Sequence, residues 1–238
     1  MTEHALVTGC TSGIGQEIAA RLLARGYQVW GVGRDFSREG TKKLLESPAF
    51  HSFQCDLTED GEIDRLVRKV KEATGGDVHL LIHNAGEAWY GMHETISEDA
   101  IRKMVRIHVE VPMILTGKLL RAMRNTKGQI IFISSVTATH PSPHGAVYGS
   151  CKAAMRSFAA SLFEENRKTG LRVTTIMPDM TRTELYRHAD FEADAEEDCS
   201  LTPEDVAEAV ENVLDLRDGM VLTEMILRPQ RMRIRKKV

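Results

Sequence analysis

The 238-residue sequence lacks the signatures of several protein classes. Its four cysteines are scattered without a Cys-x-x-Cys pair, which argues against a structural zinc site or a disulfide framework and is typical of a reducing compartment. No apolar run approaches the ~20 residues of a membrane span, and a strand-like run begins where a signal peptide would stand. The net charge of -3 gives no signal for nucleic acid or a membrane surface. Without repeats or linkers, the sequence predicts one cytoplasmic domain over residues 1–238, with no metal site.

Apolar strand patterns alternate with amphipathic helix patterns along the chain. The predicted strands are residues 4–8, 27–33, 51–55, 78–82, 128–134, 171–177 and 221–227. Helical patterns lie between them, at about 15–26, 37–46, 59–73, 97–125, 153–168 and from 202 onward. This alternation predicts an α/β fold, a doubly wound parallel sheet of about seven strands with helices on both faces.

A glycine-rich turn, Gly9-Cys-Thr-Ser-Gly13-Ile-Gly15, joins the first strand to the first helix. Glycines let the backbone approach a pyrophosphate, and a helix N-terminus offers N–H groups and the positive end of its dipole. The turn therefore predicts a dinucleotide site, although its spacing is Gly-x-x-x-Gly-x-Gly rather than the usual Gly-x-Gly-x-x-Gly. A tight turn without a ligand is the alternative.

The end of the second strand bears on cofactor choice. An acidic residue there binds the adenosine ribose, whereas an arginine accepts the 2′-phosphate of NADP. The strand ends at Gly33 and Arg34 follows, which favours NADP(H) and leaves NAD(H) possible. Asp35 lies at a suitable distance from Gly15 for a ribose acid, but we place it beyond the strand end, pointing to solvent. For Arg34 the alternative is an exposed loop arginine.

A serine, a tyrosine and a lysine follow the fifth predicted strand. Ser135 stands at the strand end, and Tyr148 and Lys152 lie four residues apart on one face of the next helix. An ammonium beside a phenol favours the phenolate, so Lys152 is expected to lower the pKa of Tyr148 from its free value of about 10. Tyr148 is predicted to act as an acid or base, with Ser135 donating a hydrogen bond to the same substrate oxygen.

The chain resembles the short-chain dehydrogenase/reductase family over nearly its whole length. Thr8 and the glycine turn match the family's Thr-Gly-x-x-x-Gly-x-Gly, and Ser135, Tyr148 and Lys152 match its catalytic serine and Tyr-x-x-x-Lys. Asp56 matches an aspartate that the family places near the adenine. His83-Asn84-Ala85-Gly86 resembles the family's Asn-Asn-Ala-Gly. Pro178 and Thr183 resemble its Pro-Gly-x-x-x-Thr, with Asp179 in place of the glycine. Five matches in order form a specific signal.

The resemblance implies a Rossmann-fold oxidoreductase that moves hydride between NADP(H) and a carbonyl or alcohol substrate. Tyr148 and Ser135 would act on the substrate oxygen, and Lys152 would also hold the nicotinamide ribose. The residues that it assigns to the cofactor are Gly9, Thr11, Ser12, Gly13, Ile14, Gly15, Arg34, Asp56, Leu57, Asn84, Ala85, Gly86, Tyr148, Lys152, Pro178 and Thr183.

One departure from the family lies in the long central helix. The family has an asparagine there, whose backbone carbonyl helps to hold a water in a proton relay, and His108 takes that position by spacing. A histidine keeps the carbonyl and adds a titrating ring. Two interpretations stay open: His108 is a fourth catalytic residue, or it packs between helix and sheet.

Two rival functions also stay open. The first is a nucleotide-binding regulatory protein with little turnover, which the departures at His83, His108 and Asp179 support and the intact catalytic residues oppose. The second is another reaction on the same scaffold, such as epimerisation or dehydration. The family's substrate-contacting loops predict a partly apolar, small-to-medium compound, from Trp89, Tyr90, Met92, His140, His144, Leu185 and Tyr186.

Two charged segments and the helix surfaces give the remaining expectations. The substrate loop is expected at about 184–202, and its acidic part, 190–198, is predicted to be a mobile lid because its like charges repel. The basic tail at about 228–238 is predicted to be solvated rather than a nucleic-acid arm. The helix at 97–125 and the helix through Tyr148 carry surplus apolar surface, and family members pair these helices, so a homodimer or homotetramer is expected.

Overall fold

A seven-stranded sheet forms the centre of the molecule. The computed structural model describes residues 2–237. The sheet contains β1 (His4–Thr8), β2 (Gln28–Gly33), β3 (Phe50–Gln54), β4 (Leu80–His83), β5 (Gln129–Ile133), β6 (Arg172–Pro178) and, after a short strand β7 (Phe191–Ala193) outside it, β8 (Glu224–Leu227). Neighbouring strands are parallel in the order β3-β2-β1-β4-β5-β6-β8. The predicted doubly wound α/β fold is confirmed.

Helices cover both faces of this sheet. They are α1 (Gly13–Ala24), α2 (Lys42–Leu45), α3 (Glu62–Thr74), α4 (Glu98–Val105), α5 (Val111–Asn125), α6 (Ala146–Asn166) and α7 (Pro203–Leu214). α1 and α7 share one core with Ala5 and Val7, and α3, α5 and α6 share the other with Leu6. Successive side chains of a strand point to opposite faces, so a strand covered on both faces needs a continuous apolar run. Each fully buried leucine contributes about 1.5–3 kcal/mol.

The helix predicted at 59–73 begins later than expected. α3 starts at Glu62, after Gly61, because the polar residues before it bond to one another. The backbone N–H and the hydroxyl of Thr58 both donate to Asp56 Oδ1, at 2.9 and 2.7 Å. Such a local side-chain bond competes with helix formation and starts a turn instead.

The long helix predicted at 97–125 is interrupted in its middle. Arg106–Glu110 form a π-helical turn between α4 and α5, in which the N–H of Val111 bonds to the carbonyl of Arg106. Pro112 supplies a reason, because a proline has no N–H to donate to the carbonyl four residues earlier, which is that of His108. π-helical turns occur frequently at functional sites.

The acidic and basic segments form a second, two-stranded sheet in place of the unpaired loop and tail that the sequence predicted, while the side chains of residues 231–237 remain exposed as expected of a solvated tail. β7 pairs antiparallel with β9 (Ile234–Lys236). Like charges repel within each segment, but the fold brings the two segments together, and opposite charges then face each other across the strands. We call residues 190–198 and 231–237 together the charged ribbon.

The carboxyl edge of the sheet contains a crevice beside β1. The strand order reverses there, because β2 lies on one side of β1 and β4 on the other. The connections after β1 and β4 therefore leave in opposite directions. In open α/β sheets such a crevice is where ligands bind.

Two further properties concern the helices and the cysteines. None of the helices within residues 2–237 is long and apolar enough to cross a membrane. The four cysteines are buried and unpaired. Burial raises the pKa of the Cys10 and Cys55 thiols to about 12. It also raises the pKa of the Cys151 and Cys199 thiols.

Candidate active site

A cleft of about 520 Å³ opens at the carboxyl ends of the parallel strands. It collects nearly every site residue predicted from the sequence, from eight separate stretches of the chain. Those lining it are Gly9, Thr11, Ser12, Gly13, Ile14, Arg34, Asp56, Leu57, Asn84, Ala85, Gly86, His108, Ser135, Tyr148, Lys152, Pro178 and Thr183. Gly15 lies behind the turn, where a Cβ would stand 2.2 Å from Gly9 O, so this glycine permits close packing of α1 rather than ligand contact.

The glycine turn has the geometry of an anion site. Gly9 and Gly13 have positive φ angles of 74° and 56°, a region that other residues rarely adopt. Asn84 Nδ2 donates to the carbonyls of Thr8 and Gly9, at 3.0 and 3.1 Å, and so fixes the turn to the end of β4. Ser12 precedes α1 without a side-chain capping bond, so its hydroxyl leaves the first-turn N–H groups to a ligand. A pyrophosphate fits these features.

The end of β2 presents an arginine and no room for an acid. A Cβ at Gly33 would lie 2.4 Å from Thr11 Cγ2, so a ribose-binding carboxylate does not fit at this position. Asp35 is exposed, and its Oδ1 accepts hydrogen bonds from the N–H and hydroxyl of Ser37, at 2.9 and 2.6 Å. Asp35, the acidic alternative to Arg34 in the sequence, is therefore hydrogen-bonded within its own turn.

Glu87 joins two arginines across the cleft and is absent from the predicted site. Its Oε1 lies 2.5 Å from Arg34 Nη2 and 2.7 Å from Arg187 Nη2. A second pair, Arg38 with Glu184 at 2.7 Å, also links the segment after β2 to the turn at Glu184–Arg187. In the sequence, the one signal that Glu87 belongs to the site is its position directly after Asn84-Ala85-Gly86.

Ser135, Tyr148 and Lys152 are buried side chains in this cleft. Ser135 follows β5, and its hydroxyl accepts a bond from the N–H of Thr137 at 3.2 Å. Tyr148 and Lys152 lie in the first two turns of α6. Lys152 Nζ donates to Ile133 O at 2.9 Å, and the hydroxyl of Ser134 donates to Lys152 O at 3.1 Å. These bonds fix the start of α6 to the end of β5.

The structure contradicts the predicted lowering of the Tyr148 pKa. Burial raises the pKa of this phenol well above its usual value, and the nearby Ser135 hydroxyl acts in the opposite direction. Lys152 Nζ is 5.6 Å from the centroid of the Tyr148 ring and bonds to Ile133 O instead. Burial also lowers the pKa of Lys152 to about 7. Tyr148 is therefore held as a protonated acid.

His108 lies in the π-helical turn and faces Tyr148. Its ring meets that of Tyr148 edge to face, with centroids 5.4 Å apart. Nε2 is 2.7 Å from Glu87 O, and because a carbonyl only accepts, Nε2 carries the proton. Nδ1 is then a buried acceptor with no partner among the described residues. Burial, followed by the charge of Lys152, lowers the pKa of His108 well below its usual value, so the expected titrating ring stays neutral.

Comparisons with known proteins agree with this fold and cleft. Residues 3–193 match the family model described as short chain dehydrogenase. An uncharacterized oxidoreductase of Staphylococcus saprophyticus is 31% identical over 230 residues, covering 94% of this chain and 96% of its own. Serine 3-dehydrogenase of Agrobacterium fabrum is 31% identical over 186 residues, covering 78% of this chain and 74% of its own.

Solved structures show the same likeness. The closed form of serine dehydrogenase complexed with NADP+ has a TM-score of 0.83 and 26% identity, with 94% of each chain covered. An alcohol dehydrogenase from the archaeon Thermococcus sibiricus, complexed with 5-hydroxy-NADP, has a TM-score of 0.88 over 98% of this chain and 99% of its own, and at 24% identity it shows the fold alone.

Fold and cleft together define a dinucleotide-binding oxidoreductase of the Rossmann class. The chain belongs to the short-chain dehydrogenase/reductase family.

Proposed function

We propose that this protein is an NADP-dependent oxidoreductase that interconverts a carbonyl and an alcohol through Ser135, Tyr148 and Lys152. The observation that carries the proposal is the burial of these three side chains in the cleft that also contains the glycine turn and Arg34. The cofactor would be held by the cofactor residues predicted above, with Gly15 supporting the turn from behind. NADP(H) is preferred because Arg34 stands at the end of β2, where it can exchange its pair with Glu87 for a 2′-phosphate, and because a Cβ at Gly33 would crowd Thr11.

The protonation states of the side chains suit carbonyl reduction. A bound nicotinamide supplies the hydride. As the carbonyl oxygen gains negative charge, Tyr148 transfers its phenolic proton to that oxygen while Ser135 donates a hydrogen bond to it. The phenolate that remains is stabilised by the ammonium of Lys152, four residues along α6. Alcohol oxidation follows the same path in reverse.

A substrate screen that follows NADPH absorbance tests this function. The panel should contain ketones, aldehydes and sugars for reduction, and alcohols including L-serine for oxidation, since a relative is named serine 3-dehydrogenase. NADPH binding without oxidation across the panel would favour the regulatory protein. Product formed without net change in NADPH would favour epimerisation or dehydration.

Arg34→Ala should weaken NADPH binding and leave NADH binding nearly unchanged. A hydrogen bond to a charged group is worth about 1.5–3 kcal/mol, and we expect the lower end because Arg34 must give up Glu87 to bind a phosphate. Fluorescence titration with both cofactors measures the change, with Arg217→Ala as a control at an exposed arginine outside the cleft. Equal wild-type affinities for the two cofactors would refute the preference.

His108 is proposed as a fourth catalytic residue, acting as a neutral hydrogen-bond acceptor through Nδ1. His108→Asn keeps an acceptor and should retain most activity, whereas His108→Leu should lose up to about tenfold in kcat, the effect of one hydrogen bond. Because the pKa of His108 lies well below its usual value, the pH profile of kcat above about pH 6.5 should keep its shape in both variants. Equal activity of the Leu and Asn variants would show that His108 only packs.

Three expectations about the whole molecule remain proposals. We propose a homodimer or homotetramer, supported by the exposed apolar side chains of Val105, Met113 and Ile114 on α4 and α5, and testable by light scattering. We propose a cytoplasmic location, supported by four unpaired cysteines. A single domain over residues 1–238 is supported by the continuous seven-stranded sheet.

A further inference from the structure

The charged ribbon joins two segments of the chain that are distant in sequence. In its register Phe191 pairs with Lys236, Glu192 with Arg235, and Ala193 with Ile234. Backbone bonds extend the pairing at both ends, from Lys237 N to Asp190 O and from Arg231 N to Asp198 O, each 2.8 Å long. The contact is therefore a hydrogen-bonded ladder and not only an electrostatic attraction.

Ion pairs match one side of the ribbon to the other. Arg231 Nε is 2.7 Å from Asp198 Oδ2, and Arg235 Nε is 2.9 Å from Glu192 Oε1. Arg233 bridges two acids, at 2.7 Å from Asp194 and 2.5 Å from Glu196. Most of these groups are exposed, so salt should weaken each pair. Arg231 also lies 3.4 Å from Glu196, so two arginines and three acids form one network, and Arg235 with Glu192 forms a separate pair.

The ribbon also contacts residues 186–191, called the wall below, of which Tyr186 and Arg187 line the cleft. Lys237 Nζ donates to the carbonyls of Tyr186 and Ala189, at 2.5 and 3.0 Å. The Phe191 ring packs on Tyr186, with centroids 5.6 Å apart, and on Tyr90 at 5.1 Å. Tyr186 lines the cleft, and Tyr90 packs on Tyr148 at 5.7 Å. A chain of contacts therefore runs from the basic segment to the catalytic tyrosine.

We infer that Lys237 and Arg233 are positioning residues for the substrate: through the ribbon they hold the 186–191 wall against Tyr90 and the catalytic end of the cleft. The inference rests on the proposed function, because it concerns the site at which the carbonyl or alcohol binds. The glycine turn, Arg34 and Asp56 make no contact with Lys237 or Arg233 among the bonds of the described residues. The wall reaches Arg34 through the Arg187–Glu87 pair, and Arg34 must leave Glu87 to bind a 2′-phosphate. Loosening the ribbon should therefore raise the substrate KM and change cofactor binding much less.

Trp89 provides a readout that does not depend on turnover. Its ring stacks on His188, between Tyr186 and Ala189 in sequence, with centroids 4.7 Å apart and an interplanar angle of 6°. Release of the 186–191 wall should expose Trp89 to water and shift its emission to longer wavelength. The chain has one other tryptophan, Trp30, whose buried Nε1 has no partner among residues 2–237, so Trp30→Phe removes its emission without losing a hydrogen bond within that range.

The experiment compares Lys237→Met and Arg233→Glu in the full chain, each in the Trp30→Phe background. We expect both to shift Trp89 emission to longer wavelength and to raise the substrate KM about three- to tenfold, as for the loss of one or two partly exposed ion pairs or hydrogen bonds. The NADPH dissociation constant should change by less than about twofold. Lys237→Arg keeps the donors and should restore both readouts, and Arg217→Glu is the control for charge reversal outside the ribbon.

Two results would overturn the inference. One is unchanged Trp89 emission and unchanged KM in both variants. The other is a rise in the NADPH dissociation constant as large as the rise in KM, which would indicate general destabilisation. If the wild-type protein turns over no substrate tested, the proposed function fails, but the Trp89 spectra still decide whether the ribbon holds the wall.

Discussion

Tyr148→Phe should lower kcat by about 10²–10⁴-fold, the usual contribution of a general acid or base. The phenol is buried, and burial keeps its pKa well above the usual value, so it remains a proton donor across the working pH range. Phenylalanine fills the same space without the proton, so NADPH binding by fluorescence titration should change little. Steady-state kinetics with the best substrate of the screen measures the loss.

Tyr27→Phe is the matched control for this substitution. Tyr27 packs against the core under α1 and α7, away from the cleft, and it also loses only a hydroxyl. We expect it to keep most of the activity. Wild-type turnover in Tyr148→Phe would mean that this cleft is not the site of the chemistry.

Lys152→Met should abolish most turnover while making the fold more stable at and below neutral pH. Burial lowers the pKa of Lys152 to about 7, whereas an unfolded lysine titrates near 10.4. The unfolded chain binds more protons between these values, so wild-type stability should rise as the pH increases from about 7 to about 10. Below pH 7 both states carry the charged lysine, so the penalty of the buried ammonium no longer changes with pH.

Thermal unfolding of both proteins at pH 6 and pH 9 tests this prediction. The wild type should gain stability over this range from Lys152, and the methionine variant should lack that gain and start from a higher midpoint at pH 6. Turnover of the variant should fall because no ammonium stabilises the tyrosinate, and NADPH binding should weaken if Lys152 holds the ribose. Lower stability of Lys152→Met at pH 6 would contradict the buried, destabilised lysine.

Local patterns in the sequence were sufficient for the parallel sheet and most of the cleft. β1 was predicted at 4–8 and is observed at His4–Thr8, because a strand buried on both faces needs an apolar run that is visible in the sequence. The glycine turn, Arg34 and the residues after β4 meet in one cleft because parallel strands end at the same edge. The bounds of β8 were predicted less accurately: the sequence predicted a strand at 221–227, and the strand is observed at Glu224–Leu227.

The properties that depend on tertiary contacts could not be predicted in the same way. The pairing of β7 with β9 joins residues about 40 positions apart, and each segment alone resembles a solvated charged loop. The pKa of Tyr148 was predicted in the wrong direction because residue spacing reveals the neighbouring Lys152 but not the burial of both groups. Glu87 was missed because its two arginine partners, Arg34 and Arg187, come from distant loops.

The four buried thiols can report local unfolding of the regions in which they lie. A thiol reagent attacks the thiolate, so a buried cysteine with a raised pKa reacts only when its surroundings open. Cys10 lies in the glycine turn, Cys151 between Tyr148 and Lys152, and Cys199 just beyond the charged ribbon. The labelling rates of these three thiols therefore measure the opening free energies of the glycine turn, of α6 and of the region beside the charged ribbon. Together they rank the stabilities of the three regions without any introduced probe.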